Sequence, residues 1–171
     1  MGECRVTEHE SLSVVNSSRQ FLSFILAGEE YATDILKVQE IRDWTNATIV
    51  PNGPDYVEGV TNLRGQIIPI INLRTRFSLP KDNDLKNRIV IVLNIDDGQK
   101  TRLMGLLVDA FAETYDINED EIKAAPSKIS VIDDEFIIGL ASADDKMLIL
   151  LDVDELLTSK ELTPTINDNV A

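Results

Sequence analysis

The fold is decided by the stretch Gly59-Val-Thr-Asn-Leu-Arg-Gly65-Gln-Ile-Ile-Pro69-Ile-Ile-Asn-Leu73. Its first part predicts a strand that enters a tight turn, because Asn62 and Gly65 suit turn conformations that other residues resist. Its second part carries four isoleucines around Pro69, and β-branched apolar residues on both faces indicate a strand buried on both sides. The stretch therefore predicts a rigid β-hairpin with a polar, positively charged tip.

The tip of this hairpin favours binding to another protein over catalysis, because it holds no catalytic constellation. Arg64 at the tip has two interpretations. One is an ordinary solvated charge in a turn; the other is a guanidinium held firmly enough to dock a partner's carboxylate.

Short strands surround the hairpin in sequence, and many short strands at regular spacing are typical of barrels or sandwiches. Apolar and β-branched runs between turn residues predict strands at Gln20–Leu26, 31–41, 48–50, 88–95, 101–108, 111–115, 136–143 and 146–151. We expect short helical segments at 74–79 and from residue 153 onward.

The two halves of the chain share a pattern. Placing Gly59 on Gly139 aligns residues 67–71 with 147–151 without a gap, apolar against apolar. Two copies of one strand-rich unit predict two small β-barrels packed together, an architecture that also removes exposed sheet edges. A plain β-sandwich is the alternative.

The charge of the chain excludes some classes of partner. Its 171 residues include 16 basic and 30 acidic side chains, for a formal net charge of -14, so phosphate backbones and anionic membranes would be repelled. The apolar run Phe21–Ala27 is too short to span a bilayer, and no signal peptide is recognisable. With Cys4 as the only cysteine, we expect a cytoplasmic protein without nucleic-acid binding or membrane insertion.

The sequence offers little to support enzyme chemistry. The only histidine, His9, lies in an expected mobile tail, which disfavours Ser-His-Asp and Cys-His mechanisms. We find no glycine-rich phosphate loop, too few His and Cys for a zinc site, and no calcium-binding loop among the acidic turns. We therefore expect no enzyme activity, no metal and no cofactor, with a small-ligand-binding β-barrel as the alternative.

Several segments together resemble the CheW family of chemotaxis coupling proteins. They are Tyr31-Ala-Thr-Asp34-Ile-Leu-Lys-Val38-Gln-Glu40-Ile41-Arg, then Val50-Pro51-Asn, and then the stretch from Val57 to Arg74 that contains the opening hairpin. The resemblance runs from about Arg19 to Leu157 and is more specific in the first half of the chain.

The resemblance implies a mainly all-β fold of two SH3-like five-stranded barrels with short helical turns and a hydrophobic interface between them. We expect a CheW-like domain at 19–157, between a mobile tail at 1–18 and a C-terminal tail at 158–171. Within it we expect a first barrel at about 30–80, a second at about 88–150, and a leading strand, Arg19–Leu26, that can pack with either.

The resemblance also implies a function without catalysis. It implies a scaffold that joins the cytoplasmic tips of chemoreceptors (methyl-accepting chemotaxis proteins) to the regulatory domain of the CheA histidine kinase. Such a protein would be monomeric when free and recruited from the cytoplasm to membrane-associated receptor arrays. A coupling protein of the same type in a chemosensory pathway other than motility is the alternative.

The family's binding positions can be carried onto this sequence. The receptor groove between the barrels maps to Val38, Glu40, Gly59 and Arg64. The kinase contact maps to Ala47, Ile49 and Val50. Because Val38 and Glu40 are two apart on a predicted strand, we expect them to share one face, whereas Ile35, Leu36 and Ile41 are expected to be ordinary core.

Overall fold

The computed structural model describes residues 17–80, 84, 86–126 and 132–158. These residues form ten β-strands: β1 Ser18–Leu26, β2 Glu29–Asp34, β3 Val38–Asp43, β4 Val57–Leu63, β5 Gln66–Asn72, β6 Ile89–Asp96, β7 Thr101–Val108, β8 Ala110–Asn118, β9 Ile137–Ala143 and β10 Lys146–Leu151. Two short helices follow the hairpins, α1 at Leu73–Arg76 and α2 at Val153–Thr158. Single 3-10 turns lie at Ile35–Lys37, Glu119–Glu121 and Asp134–Phe136.

The strands form two five-stranded sheets of the same topology. The middle barrel has the strand order β3-β6-β7-β5-β4, and the terminal barrel has the order β8-β1-β2-β10-β9. A backbone bridge from Thr48 to Val60 joins the β3 side of the middle barrel to β4, and Lys123 to Leu140 does the same in the terminal barrel. The predicted all-β fold of two small barrels is confirmed.

The internal duplication is visible in the strand register. Gly59 pairs with Ile70 in the β4–β5 hairpin, and Gly139 pairs with Leu150 in β9–β10, an offset of 80 residues in both strands. In strand order, β1 to β5 therefore correspond to β6 to β10.

The barrels do not follow the sequential division at 30–80 and 88–150. The middle barrel combines β3 to β5 with β6 and β7, and the terminal barrel combines β1 and β2 with β8 to β10. Each half of the chain thus contributes its first two strands to the barrel that the other half completes.

Parallel pairing of β5 with β7 makes this exchange possible, because Gly105 leaves room for Ile70, whose Cδ1 atom would lie 2.4 Å from an added Cβ. The leading strand lies in the terminal barrel between β8 and β2.

Apolar side chains fill three regions. One lies inside each barrel, and the largest lies between the barrels, where Phe24, Ile91, Leu106 and Leu156 are fully buried. Burial of this many large apolar side chains is the main force that holds the two sheets together.

Three apolar residues are more exposed than the sequence predicted. Ile67 at the start of β5 is 60% exposed, while the later isoleucines of that strand are buried, so burial on both sides holds only away from the hairpin tip. Leu36 and Ile41, expected in the core, are 86% and 39% exposed. The reason is that Leu36 lies on the 3-10 turn between the barrels and Ile41 lies on β3, an edge strand of the middle barrel.

The expected tails lie almost wholly outside the described residues, which begin at 17 and end at 158. Within the described part of the chain, no helix is both long enough and apolar enough to cross a membrane.

Candidate partner-binding site

The β4–β5 hairpin presents Arg64 on a rigid turn. Leu63 pairs with Gln66, which leaves a two-residue loop in which Arg64 (φ +53°) and Gly65 (φ +85°) both have positive φ. Two positive φ values are typical of the type I′ turn that matches the twist of a hairpin. The Gly65 amide donates to Asn62 Oδ1 at 2.8 Å. The backbone is therefore fixed, while the Arg64 side chain is 74% exposed.

Glu40 and Arg64 contact each other across the middle barrel. The Arg64 guanidinium lies 2.9 Å from Glu40 Oε2, and Arg42 Nε lies 3.6 Å from Glu40 Oε1. Glu40 is only 20% exposed, so its charge lies beneath the two arginines. An exposed ion pair of this kind adds little stability, but it sets the position of the arginine that faces solvent.

An apolar edge runs beside this charged cluster. Val38 is half-buried against the core between the barrels, and Glu40 is also half-buried, while Gln39 between them is exposed. The register shifts by one residue here, since Val38 pairs with Leu93 and Glu40 with Val92. A bulge of this kind bends a strand and redirects its side chains. Val38 lies opposite Leu93, which faces the core between the barrels, and Glu40 lies opposite Val92, which faces the interior of the middle barrel. The expectation that Val38 and Glu40 share one face is therefore wrong, because the bulge breaks the alternation of the strand.

Gly59 is buried beneath the segment formed by Ala47 and Thr48 and does not reach the surface. An added Cβ would be 2.3 Å from the Thr48 carbonyl oxygen and 3.0 Å from Ala47 Cβ, and its φ of +148° is strained for other residues. This close approach allows reciprocal backbone hydrogen bonds between Thr48 and Val60, at 2.8 and 2.9 Å. Gly59 therefore shapes the site by letting the 47–48 segment rest on β4.

The three residues mapped to the kinase contact follow one another on that segment. Ala47 is half-buried against the middle-barrel core, Ile49 is 80% exposed, and Val50 is half-buried. Ile49 thus projects from a segment that is anchored on one side by the Thr48 bridge.

A cleft of about 190 Å³ opens between the end of β3 and β4, where these two strands do not pair. Apolar side chains of β5 and β6 line it together with polar side chains, among which Asp43 is the one carboxylate. Across the described residues, no group of three or more His, Cys, Asp or Glu side chains is placed to hold a metal ion.

The structure pairs Glu40 with Arg64, places Val38 at the bulge two residues before Glu40 on β3, and places Ala47, Ile49 and Val50 on a second segment that rests on Gly59. Sequence reasoning missed the ion pair between Glu40 and Arg64 and the exposure of Leu36. The ion pair gives no local signal in the sequence, because it joins residues that are 24 positions apart. The exposure of Leu36 depends on where the crossing between the barrels lies.

Comparison with known proteins identifies the family of the chain. Residues 20–161 match the family model described as a CheW-like domain. The chemotaxis protein CheW of Klebsiella aerogenes is 42% identical over 153 residues, covering 90% of this chain and 89% of that protein. The chemotaxis protein CheW of Treponema pallidum is 33% identical over 160 residues, covering 91% and 92%.

A crystal structure of the scaffolding protein TtCheW from Thermoanaerobacter tengcongensis has the same fold. It superimposes with a TM-score of 0.74 and 35% sequence identity, covering 84% of this chain and 90% of that chain. The family match over most of the chain and the identity with full-length relatives lead to one conclusion: the chain belongs to the CheW family.

Proposed function

We propose that this protein is a non-catalytic scaffold that couples chemoreceptors to the CheA histidine kinase in chemotaxis signalling. The observation that supports the proposal is that the middle barrel exposes a charged side chain, Arg64, and a large apolar side chain, Ile49, on two different segments. We assign the receptor surface to Val38, Glu40 and Arg64, with Gly59 beneath it, and the kinase surface to Ala47, Ile49 and Val50.

The receptor surface has the chemistry to bind an amphipathic helix. Such a helix can lay its apolar face on Val38. The exposed Arg64 guanidinium, held by Glu40 at 2.9 Å, can then pair with a carboxylate on the helix and fix its register.

The kinase surface has a different character. Ile49 is a large apolar side chain that is 80% exposed on an anchored segment. An exposed apolar residue on a rigid backbone is suited to packing against a complementary apolar surface of the kinase regulatory domain.

We expect Gly59 to act on both surfaces through the backbone, because it is buried beneath the 47–48 segment. The resemblance maps Gly59 to the receptor site. The physical basis that we propose is the close approach of the Thr48 carbonyl oxygen, which would lie 2.3 Å from a Cβ at this position. A side chain at this position would shift both β4, which leads to Arg64, and the segment that carries Ile49.

Coupling in this scheme depends on differential binding. A change in the receptor can reach the kinase only if the scaffold binds the two receptor states with different affinities. Many weak contacts repeated across an array then add through multivalency. We place the free protein in the cytoplasm as a monomer, recruited to receptor arrays, because both partners present the relevant domains there.

The test is reconstitution of a ternary complex. A receptor cytoplasmic fragment and the kinase regulatory domain are each mixed with the protein, first singly and then together, and the complexes are separated by size. We expect two binary complexes and one ternary complex. Mutually exclusive binding of the two partners would contradict the proposal.

A further inference from the structure

The chain crosses between the two barrels twice among the described residues, and each crossing is held by a short helix. The first crossing is the 3-10 turn Ile35–Lys37, from β2 to β3, and the second is Asp109, from β7 to β8. Arg74 of α1 binds Asp109, with its Nε and Nη2 at 2.9 and 2.6 Å from the carboxylate oxygens. Asp154 of α2 binds Lys37, with an Oδ2 to Nζ distance of 2.6 Å.

These two contacts are related by the internal duplication, with the charges reversed. Arg74 and Asp154 each occupy the second position of the helix that follows a hairpin, and they are 80 residues apart. At the Asp109 crossing the helix supplies the cation, and at the Lys37 crossing it supplies the anion. At the first of these, Asp109 accepts two cations, because Arg88 contacts it as well as Arg74. At the other, Lys37 pairs with the carboxylate of Asp154.

The Lys37–Asp154 ion pair lies in a position to fix the backbone around it. Asp154 Oδ1 also accepts from the Asp96 amide at 3.0 Å, so the carboxylate is itself held against β6. Within the turn, the Leu36 amide donates to Asp34 Oδ1 at 2.9 Å, and the Val38 amide donates to the Ile35 carbonyl.

The ion pair is partly shielded from water, since the two side chains are 31% and 29% exposed. The hydrogen bond to Asp154 raises the pKa of Lys37, and the charges of Asp154, Asp96 and Asp34 act in the same direction against a smaller opposing effect of burial. Lys37 therefore remains charged, and paired, throughout the neutral range.

The turn held in this way begins the proposed receptor surface. It carries Leu36, 86% exposed, and leads directly into Val38 and Glu40 of β3. We propose that the Lys37–Asp154 ion pair is a positioning contact, through which helix α2 of the terminal barrel holds the apolar edge of Leu36 and Val38 in the orientation that the receptor helix binds. The proposal rests on the proposed function, since it concerns the same surface.

The test uses the full chain and the variants Lys37→Glu, Asp154→Asn and the charge swap Lys37→Asp with Asp154→Lys. Asp154→Asn is informative because asparagine still has an oxygen to accept from Asp96 while the ion pair is lost. The control is Arg102→Gln, which breaks an ion pair with Asp97 of 2.5 Å within the β6–β7 hairpin, where the two side chains are 17% and 15% exposed and so more shielded than Lys37 and Asp154.

We expect Lys37→Glu and Asp154→Asn to weaken binding of a receptor cytoplasmic fragment about tenfold, or roughly 1.4 kcal/mol, with kinase-domain binding unchanged. The charge swap should recover most of the affinity, and Arg102→Gln should keep it. Asp154→Asn at parental receptor affinity would overturn the proposal. Lys37→Glu at parental receptor affinity would also overturn it, because the ion pair would then have no part in the receptor surface.

Hydrogen exchange of the unliganded protein separates this proposal from the proposed function. Asp154→Asn should speed exchange of the Leu36 and Val38 amides, whose bonds lie within the turn, while Arg102→Gln should not. Unchanged exchange at these amides would overturn the positioning contact. If the parental protein binds no receptor fragment, the proposed function fails, and the exchange measurement still decides whether the ion pair holds the turn.

Discussion

At the scale of single residues, the charge on Arg64 is the most direct test of the receptor surface. Arg64→Glu would place a second carboxylate beside Glu40, where a guanidinium now lies 2.9 Å away. We expect receptor-fragment affinity to fall more than about tenfold, or roughly 1.4 kcal/mol. Because the side chain is 74% exposed, the midpoint of thermal unfolding should change by less than about 3 °C.

Arg64→Lys is the matched control, since it retains the positive charge but not the planar fork. It should bind the receptor fragment with intermediate affinity, as measured by titration calorimetry. Parental affinity in Arg64→Glu would mean that this side chain is not part of the receptor surface.

Asp97 gives a pH-dependent prediction. Its carboxylate accepts from the Lys100 and Gln99 amides at 2.9 and 3.0 Å and from Arg102 at 2.5 Å. These hydrogen bonds, that from Lys100 foremost, lower the pKa of Asp97 to about 2 from 3.8. A lowered folded-state pKa contributes stability that is present above the unfolded value and is lost as the pH falls through the folded value.

We therefore expect Asp97→Asn to have a lower free energy of unfolding than the parental protein at pH 7, with the difference shrinking between pH 4 and 2. Urea unfolding at each pH measures it. Asp116→Asn, which changes an exposed carboxylate on β8, is the control and should show a smaller difference at pH 7. An Asp97→Asn difference as large at pH 2 as at pH 7 would contradict the assignment.

At the scale of elements, a buried serine joins β1, β2 and β8. Ser23 is fully buried at a bulge in the β1–β8 pairing; its Oγ donates to Glu30 Oε1 at 2.7 Å and accepts from the Glu113 amide at 3.1 Å. Ser23→Ala leaves a buried carboxylate with one donor fewer, and such a loss costs about 1–3 kcal/mol. Urea denaturation should show this loss, and Ser142→Ala, exposed on β9, should not.

The approach of the 47–48 segment to β4 gives a second test at this scale. Gly59→Ala places a methyl group 2.3 Å from the Thr48 carbonyl oxygen, so either β4 or the segment must move. We expect a loss of more than about 2 kcal/mol in unfolding free energy. Gly65→Ala is the matched glycine, with positive φ and open space around it, and its cost should be about 1 kcal/mol.

Equal losses in the two glycine variants would mean that backbone strain, and not the close approach, is the reason for Gly59. Kinase-domain binding provides a second measurement. Gly59→Ala should weaken it more than Gly65→Ala does, because only Gly59 supports the segment that carries Ile49.

Local elements were predictable from sequence where local chemistry sets them. Asn62 and Gly65 specify the turn of the β4–β5 hairpin, and Gly59 aligns with Gly139 in the register that the structure shows. Burial of individual apolar residues was less predictable. Ile67 and Leu36 are exposed because of where the hairpin tip and the crossing lie in the whole molecule, which no local pattern encodes.

At the scale of the whole molecule, the two proposed surfaces should be separable. Ile49→Asp puts a charge on the kinase surface at a side chain that is 80% exposed, so folding should be retained. We expect kinase-domain binding to fall at least tenfold while receptor binding stays within about twofold, measured on the same preparation. Equal loss of both affinities would indicate that the receptor and the kinase domain bind the same surface.

The pairing of strands across the two halves could not be predicted from the residues. β5 and β6 are apolar and rich in β-branched residues, and most of β7 is apolar, so each can pair with several others by pattern alone. Sequential barrels were the simpler expectation. The decisive features are the parallel pairing of β5 with β7 and the space left at Gly105, both of which become visible only in three dimensions.

The exchange of strands between the halves has a consequence for biogenesis. The middle barrel is contiguous, from Val38 to Val108, and can close as soon as those residues leave the ribosome. By contrast, β1 is synthesised first but must wait for β8, since Phe21 pairs with Tyr115. The β1–β2 hairpin therefore spends most of translation with both outer edges open, a state prone to aggregation. Nascent chains stalled before β8 should accordingly depend on chaperones more than chains released in full.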